Sequence, residues 1–372
     1  MAVDVLTLRQ LNRATLARQL LLDRVAMPAV DAVQHLVGMQ AQIPLNPYLG
    51  LWSRLQAFEP AELGQLLLDR KVVRIVVMRA TIHLVTADDC LVLRPLMQPV
   101  LDGELRRHRD FGPPLRGLSL EPALAFARSV LAQAPRSGGQ LRAALAERFP
   151  DLDAAALAYA CRNRLALVQV PPRGVWGRSG QVTSTTAESW LGRPLADNPS
   201  LDEVVVRYLA AFGPATVADV ATWSRLTGLR DVLDRLLPGL RSFRDKRGRE
   251  LYDVPDAPRP DPDTPAPVRF LPEYDNVLLS HADRTRFASE GQRSSLSAGE
   301  RPVQGAVLRD GVAFGTWWLD RDKERDRVTL VVDHLGRPTK PIRAEIEDEG
   351  IGMLEFLEPS AGSRDVRLVP LG

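Results

Sequence analysis

The feature of this sequence that most constrains its fold is a repeated order of patterns, in which several helices are followed by a β-hairpin. In the first copy, Thr7 and Gln10 have the spacing of a capping box, and apolar residues on one helical face follow them. Two β-rich runs, 72–78 and 82–85, come later and are joined by Arg79-Ala80-Thr81. Helices and then a hairpin in this order are typical of a winged helix-turn-helix unit. A helix over residues 88–109 is expected to lead away from it.

The same order is found a second time. Ser137 and Gln140 form another predicted capping box, and further helices are expected around it, including one over 153–164. A strand over 167–170 is then expected to turn and return at Val175-Trp176. These patterns predict a second winged unit.

A third copy begins at Ser200, which is placed to cap a helix. Strands over 240–243 and 251–254 flank the basic turn 244–249. The three copies repeat an architecture rather than a sequence, and together they predict three tandem winged helix-turn-helix units.

The last part of the chain has a different pattern. Residues 255–267 contain six prolines and read as a linker or an extended edge. Beyond them the sequence predicts short strands, with a hairpin at Asp310-Gly311. The strands are expected over 268–271, 277–279, 303–308, 312–319, 328–332, 342–346 and 366–369. We therefore expect an α+β protein that ends in a β-rich, barrel-like domain, with domains over 1–117, 118–199, 200–254 and 255–372.

Several classes of chemistry lose support from the sequence. It has no phosphate-binding glycine loop, no nucleophile elbow and no cluster of histidines or cysteines at metal-ligand spacing. Its two cysteines, Cys90 and Cys161, lie far apart, which suits a reducing cytosol. No run approaches the roughly 18 apolar residues of a membrane span, and the charged N-terminal residues do not resemble a signal peptide. No cofactor and no metal are expected.

Charge is unevenly distributed although the net charge is only +2. Residues 1–254 carry 32 basic and 25 acidic side chains, whereas residues 255–372 carry 16 and 21. Only four of the 48 basic residues are lysine; arginine suits phosphate recognition, but a GC-rich genome is the favoured explanation of this bias. The tip of the third hairpin fits phosphate contact, but basic turns are also simply soluble; its basic residues are Arg244, Lys246, Arg247 and Arg249.

Two glutamines two residues apart, Gln40 and Gln42, are an unusual feature of the first unit. On a helix such neighbours point to different sides, but in an extended segment they share a face. Gly38 weakens the preceding helix and Pro44 disfavours the α conformation at Ile43, so the helix is expected to end before Gln40. The two amides then project together. From spacing alone, polar residues at a helix end remain the simpler interpretation.

Histidines offer a weaker case for a site. His83 lies in a strand pattern, where a packed core residue is the expected role. His281 and Arg284 lie in a polar cluster directly after an apolar run, with Asp275, Asn276 and Asp283 nearby. A buried network that fixes the fold is favoured there over a functional role.

Several motifs together resemble the HTH_42 superfamily of bacterial DNA glycosylases, which has AlkZ-like and YcaQ-like members. The motifs are 37–42 with the two glutamines, 46–48 (Asn-Pro-Tyr), the hairpin 79–85, and 270–284 (Phe-Leu-Pro-Glu-Tyr-Asp-Asn-Val-Leu-Leu-Ser-His-Ala-Asp-Arg). They extend over essentially the whole chain. The superfamily's active motif has glutamine, an aliphatic residue, and then glutamine or aspartate. Here it falls on Gln40-Ala41-Gln42, which resembles the AlkZ-like side.

The resemblance implies a C-shaped arrangement of three winged units and excision of N7-alkylated purines from double-stranded DNA, including bulky adducts and interstrand cross-links. It implies that Gln40 and Gln42 are catalytic. Asn46, His281 and Arg284 lie in its motifs and are candidate DNA contacts, and the hairpin around 321–327 is a candidate for the minor groove. A monomer in the cytoplasm, associated with the nucleoid, is expected.

Two other functions remain open at this point. A non-enzymatic winged-helix regulator or lesion-binding protein fits the charge distribution, but leaves the glutamine pair without a role. Winged units that serve as protein-interaction platforms are a third possibility.

Overall fold

A computed structural model describes residues 4–297 and 305–371, and the α+β class predicted from the sequence is confirmed there. The first part of the chain begins with helix α1, whose N-cap Thr7 forms the expected capping box with Gln10. Its elements are β1 (Val5–Leu6), α1 (Leu8–Arg18), α2 (Ala29–His35), β2 (Met39–Gln40), α3 (Asn46–Trp52), α4 (Pro60–Leu68), β3 (Val72–Val76), β4 (Ile82–Thr86), α5 (Ala87–Leu96) and α6 (Gln98–Arg107). The predicted first hairpin is present as β3 and β4.

The single helix predicted over 88–109 is instead two helices, α5 and α6, that meet at Met97. Pro99 lies in the first turn of α6, where a missing N–H costs no helical hydrogen bond. Apolar periodicity continues across the break, which is why the sequence read as one helix.

The second part contains α7 (Glu121–Gln133), β5 (Arg136–Ser137), α8 (Gly138–Arg148), α9 (Ala154–Arg164), β6 (Leu167–Gln169), β7 (Thr183–Thr186) and α10 (Ala187–Leu191). The capping box at Ser137 is confirmed. The return strand is not at Val175-Trp176 as predicted but at β7. Val175 is apolar because it is buried in the core of the first part, rather than because it pairs in a hairpin.

The third part contains α11 (Leu201–Phe212), α12 (Val217–Ser224), α13 (Leu229–Leu236), β8 (Arg241–Asp245) and β9 (Glu250–Asp253). Ser200 caps α11 as expected, and β8 and β9 pair as an antiparallel hairpin.

The last part contains β10 (Arg269–Pro272), α14 (Asn276–Leu279), α15 (Glu290–Ser297), β11 (Gly305–Arg309), β12 (Val312–Asp322), β13 (Arg327–His334), α16 (Lys340–Leu357) and β14 (Ser363–Pro370). Its five strands form one sheet in the order β10-β11-β12-β13-β14. This sheet is not closed into a barrel within the described residues, which corrects the barrel-like expectation. The start of the strand predicted over 303–308 lies outside them.

Two of the strands predicted in this part are helical. The apolar run 277–279 is α14, because the Asp275 carboxylate caps it by accepting from the Val277 N–H. Residues 342–346 belong to α16, since Ile342 and Ile346 fit a helical repeat as well as a strand alternation. That helix connects the parallel strands β13 and β14.

Strand pairing joins parts of the chain that the sequence treated as separate. The first two parts share one six-stranded sheet in the order β2-β4-β3-β6-β7-β5. The N-terminal strand β1 pairs in parallel with β8 of the third part.

Helix α1 carries polar residues that are buried against much later parts of the chain. Arg18 forms a bidentate ion pair with Asp253 at 2.6 and 2.9 Å. Asn12 donates to the carbonyls of Arg286 and Gly311 at 2.8 and 2.7 Å. These contacts fix α1 against both the third and the last part. In the described part of the chain, no helix is long and apolar enough to span a membrane.

Candidate active site

The segment with the two glutamines leaves α2 and enters a sheet. Gly38 has φ +89°, and a Cβ there would lie 2.8 Å from Val85 Cγ1, so only glycine fits the exit from the helix. Gln40 then pairs with His83 in β4, and the Ala41 N–H donates to the Ile82 carbonyl at 2.8 Å. The expectation that the helix ends before Gln40 is confirmed, because the segment is extended backbone held by β4.

Both glutamine side chains reach the first hairpin, but in different ways. Gln40 is 9% exposed, and its Oε1 accepts from Arg79 Nη2 at 2.9 Å. Gln42 is exposed, and its Oε1 lies 3.4 Å from the Ile82 N–H. The pair therefore consists of one amide fixed inside the protein and one that faces solvent.

Arg79 and His83 fix the orientation of the Gln40 amide. Arg79 Nη2 also lies 3.1 Å from His83 Nε2, and His83 Nδ1 lies 3.0 Å from the Thr81 carbonyl. A guanidinium only donates, so it must face an oxygen of Gln40 and an unprotonated nitrogen of His83. The imidazole proton is then on Nδ1, where Thr81 accepts it. Burial, reinforced by the charge of Arg79, lowers the pKa of His83 to about 3, so the ring stays neutral.

A second arginine holds the backbone between the two glutamines. Arg74 of β3 is 2% exposed, and its Nη2 donates to the Ala41 carbonyl at 2.8 Å. Burial, together with the charge of Arg173, lowers the pKa of Arg74 to about 10. The motif is therefore held from its backbone as well as from its Gln40 side chain.

Positive charge gathers beside Gln40. Burial and the charges of Arg225 and Arg284 lower the pKa of Arg79 to about 10. Arg225 and Arg284 are exposed, and neither side chain has an ion-pair or hydrogen-bond partner among the described residues. Arg284 was a candidate from its motif, but Arg79 and Arg225 were not recognised. The position of Arg79 at a hairpin tip, inside a family motif, is the sequence feature that could have identified it.

Two other motif residues have structural contacts. Asn46 is half-buried and donates to the Glu273 carbonyl at 2.6 Å. His281, expected as a DNA contact, is 1% exposed, and its Nε2 lies 3.0 Å from the Phe212 carbonyl. The ring packs between Phe212 and Phe287, so it cannot reach DNA in this conformation. The favoured structural interpretation is confirmed for Asp275, which forms a bidentate ion pair with Arg54 at 2.8 and 2.9 Å, whereas Arg284 of the same cluster is exposed.

The basic turn of the third hairpin is partly neutralised. Arg249 pairs with Asp245 and Asp283, both at 2.6 Å, and Arg247 lies 3.1 Å from Asp283. Arg244 and Lys246 are exposed. The tip of the β12–β13 hairpin is also exposed, but Arg321 there pairs with Glu358 at 2.6 Å.

A groove of about 550 Å³ opens beside Gln42, between the first hairpin and helices α8 and α9. Its wall combines aromatic rings with arginines; these residues are Phe111, Tyr159, Arg136, Arg142 and Arg162. The described residues contain no group of three or more histidine, cysteine, aspartate or glutamate side chains placed to hold a metal ion.

Comparisons with known proteins show what the whole chain is similar to. A family model described as DNA glycosylase AlkZ-like matches residues 33–356. The chain is similar to a Streptomyces sahachiroi protein named interstrand DNA cross-link repair glycosylase, with 24% identity over 348 residues that cover 83% of this chain and 87% of that protein. The solved structure of Streptomyces sahachiroi DNA glycosylase AlkZ matches with a TM-score of 0.78 and 20% identity, covering 98% of this chain and 100% of that one.

The family match includes the glutamine motif, both strands of the first hairpin and most of the remaining chain. The chain belongs to the AlkZ-like family of DNA glycosylases.

Proposed function

We propose that this chain is a monofunctional DNA glycosylase that uses water to cleave the N-glycosidic bond of N7-alkylated purines, with Gln40 and Gln42 as its catalytic residues. The observation that carries the proposal is that both amide oxygens accept hydrogen bonds from the first hairpin, on backbone held by β4 and Arg74. Among the described residues no carboxylate is hydrogen-bonded to either amide, so the reaction must proceed without a carboxylate acting as acid, base or nucleophile.

Alkylation at N7 supplies what neutral glutamines lack. The modified purine is already cationic, so it leaves C1′ as a neutral base without a general acid. What remains is to place a water opposite the leaving base and to stabilise an oxocarbenium-like sugar. Each amide oxygen has two lone pairs, and the hairpin uses one of them at each glutamine. The second lone pairs accept from the water and direct it to C1′. Unmodified adenine and guanine, which are poor leaving groups, are not substrates.

Tolerance for large lesions follows from an open site. A glycosylase that flips its base into a closed pocket excludes a cross-linked or bulky base. In our proposal the three helix–hairpin parts are winged units in a C-shaped arrangement over residues 1–254, and the groove beside Gln42 provides space next to the lesion. Interstrand cross-links are then substrates as well as monoadducts. The S. sahachiroi relative is named for interstrand cross-link repair, which supports the first of these.

The proposed role is base-excision repair that gives resistance to a DNA-alkylating natural product. The protein acts as a monomer in the cytoplasm on duplex DNA, without a metal or a nucleotide cofactor. Arg244 and Lys246 at the third hairpin contact phosphates, and the exposed β12–β13 tip approaches the minor groove.

The test incubates the protein with duplex DNA that contains one N7-methylguanine, and measures free base and abasic sites. Wild-type protein is expected to release the base, and a Gln40→Ala, Gln42→Ala double variant is not. No release from any cationic lesion, with DNA binding intact, would leave a lesion-binding protein as the function. Release by the double variant at the wild-type rate would exclude the glutamines.

A further inference from the structure

Three arginines from distant parts of the chain converge beside Gln40. Arg79 lies at the tip of the first hairpin with φ +57°, and Arg225 is the C-cap residue of α12 with φ +63°. Arg284 begins the short 3₁₀ turn Arg284–Arg286. Left-handed backbone at a non-glycine residue is unfavourable, and such positions cluster at functional sites. Two of the three arginines have this conformation.

Hydrogen bonds fix the arrangement of these elements. Arg79 Nη1 donates to the Trp223 carbonyl at 3.1 Å, which places it against the end of α12. The Ala282 N–H donates to Asp219 of the same helix at 2.8 Å. Asn276 donates to the Gly38 carbonyl at 2.8 Å, two residues before Gln40. The segment 276–284 is therefore held between α12 and the glutamine motif.

The three guanidiniums differ from two buried arginines that have carboxylate partners. Arg18 and Arg54 each form a bidentate ion pair with a buried aspartate. By contrast, no carboxylate of the described residues 4–297 and 305–371 is ion-paired with Arg79, Arg225 or Arg284. Like charges held close to one another repel, which raises the free energy of the free protein and favours binding of an anion from outside.

Arg79 also has unused hydrogen-bond donors. A guanidinium has five N–H groups. Three are accounted for by Gln40, His83 and the Trp223 carbonyl. The side chain is only half-buried, so the other two are available to an oxygen that approaches from solvent.

We propose that Arg79, Arg225 and Arg284 bind one phosphodiester of the DNA strand that carries the modified purine, and that Arg79 thereby places the lesion's sugar at Gln40. Arginine suits this task because its planar fork matches phosphate oxygens. The same guanidinium holds the Gln40 oxygen and the phosphate, so binding of the backbone sets the position of C1′ relative to the catalytic amide. This proposal rests on the proposed function.

Neutral phosphates in the DNA provide the test. Each duplex in a set carries one N7-methylguanine and one methylphosphonate, which replaces a charged phosphate by a neutral group. The position of the methylphosphonate near the lesion differs from duplex to duplex. Binding is measured by fluorescence anisotropy, and base release is measured separately under single-turnover conditions. For the wild type, a methylphosphonate at one of these positions is expected to weaken binding by about tenfold or more, because a hydrogen bond between charged groups is lost.

Arginine variants then show whether that phosphate is the one these residues bind. Arg225→Ala and Arg284→Ala change exposed side chains, so the fold is expected to be retained. Each is expected to lose most of the sensitivity to the methylphosphonate at that position, and to lower the slope of log Kd against log salt by about one. Arg225→Lys restores the charge and part of the sensitivity. Arg337→Ala, which changes an exposed arginine after β13, is the matched control and keeps the full effect.

Several results would overturn the proposal. One is that no methylphosphonate position weakens DNA binding by the wild type. Another is that Arg225→Ala and Arg284→Ala both keep the full wild-type response to the methylphosphonate. Failure of the proposed function has a different signature. If the protein is not a glycosylase, the wild type releases no base from DNA that lacks a methylphosphonate. The effect of each neutral phosphate on DNA binding can still be measured in that case.

Discussion

Replacing each catalytic glutamine by methionine separates two roles that the geometry assigns unequally. Methionine keeps the length of the side chain and removes the amide. Gln40 is 9% exposed and accepts a 2.9 Å hydrogen bond from Arg79, whereas Gln42 is exposed and has only a 3.4 Å contact with a backbone N–H. Gln40→Met leaves a charged donor unpaired in a half-buried site, so the free energy of unfolding is expected to fall by about 1–2 kcal/mol. Gln42→Met is expected to stay within about 0.5 kcal/mol of the wild type.

Catalysis is expected to respond differently from stability. Each glutamine contributes one acceptor to the same water, so each variant loses one positioned hydrogen bond in the transition state. Removing one such group typically lowers the rate by about 10² to 10³, or roughly 2.7–4 kcal/mol of barrier. Both variants are therefore expected to be about a hundredfold slower, although only Gln40→Met is less stable.

Stability is measured by urea denaturation and rate by single-turnover excision of N7-methylguanine at saturating protein. Gln133→Met, at the exposed end of α7, is the matched control and is expected to change neither. The reasoning is refuted if Gln42→Met destabilises the protein as much as Gln40→Met does, or if either variant excises at the rate of the control.

Other predictions concern acid stability, a buried ion pair and the thiols. Burial lowers the pKa of both His83 and His281 to about 3. Unfolded histidine titrates near pH 6.5, so the unfolded state binds protons first as the pH falls. The free energy of unfolding is therefore expected to decrease from about pH 6.5 toward pH 3, by up to about 1.4 kcal/mol per pH unit for each ring. Urea denaturation from pH 7 to 4 measures this, and a urea midpoint that does not change with pH would contradict it. Asp275→Asn leaves buried Arg54 without a counter-ion and is expected to lower the free energy of unfolding by about 3–5 kcal/mol, which thermal or urea unfolding measures. Burial raises the pKa of Cys90 and Cys161 to about 12, so neither thiol is expected to react with a disulfide reagent at pH 8 until the protein is unfolded.

Local patterns in the sequence predicted elements well wherever the energetics are local. The capping boxes at Thr7 and Ser137 formed as expected, because a cap depends only on residues three apart. The end of α2 before Gln40 was also predictable from Gly38 and Pro44. The motif was therefore located correctly as extended backbone.

Pairing between distant parts was not predictable in the same way. Val175 was assigned to a strand because it is apolar, but it is buried in the core of the first part. The apolar residues of 342–346 fit the period of a strand and that of a helix, and only the packing of α16 on β13 and β14 decides between them. This packing is close at Gly350 of α16, where a Cβ would lie 3.0 Å from Leu330 of β13 and from Val366 of β14. Tertiary contact thus overrode the local pattern in both cases.

The environment of the candidate site was the least accessible to sequence reasoning. Arg79, Arg225 and Arg284 are 59 to 205 positions apart, so their convergence is a property of the fold. His83 was correctly expected to be buried, but its hydrogen bond with Arg79 was not foreseen. His281 and Arg284, three positions apart, have opposite exposures: one is packed between rings and the other faces solvent.

The buried polar contacts of helix α1 have a consequence for how the protein is made. Arg18 leaves the ribosome early, yet its partner Asp253 is 235 residues further along, and the Gly311 carbonyl that Asn12 reaches is 299 residues away. At roughly 5–20 residues per second, Arg18 waits on the order of ten to fifty seconds for Asp253. During synthesis α1 remains without its polar partners, so the nascent chain completes its first part only when the last part emerges. Release of the chain before residue 253 would leave that helix without the aspartate that neutralises Arg18.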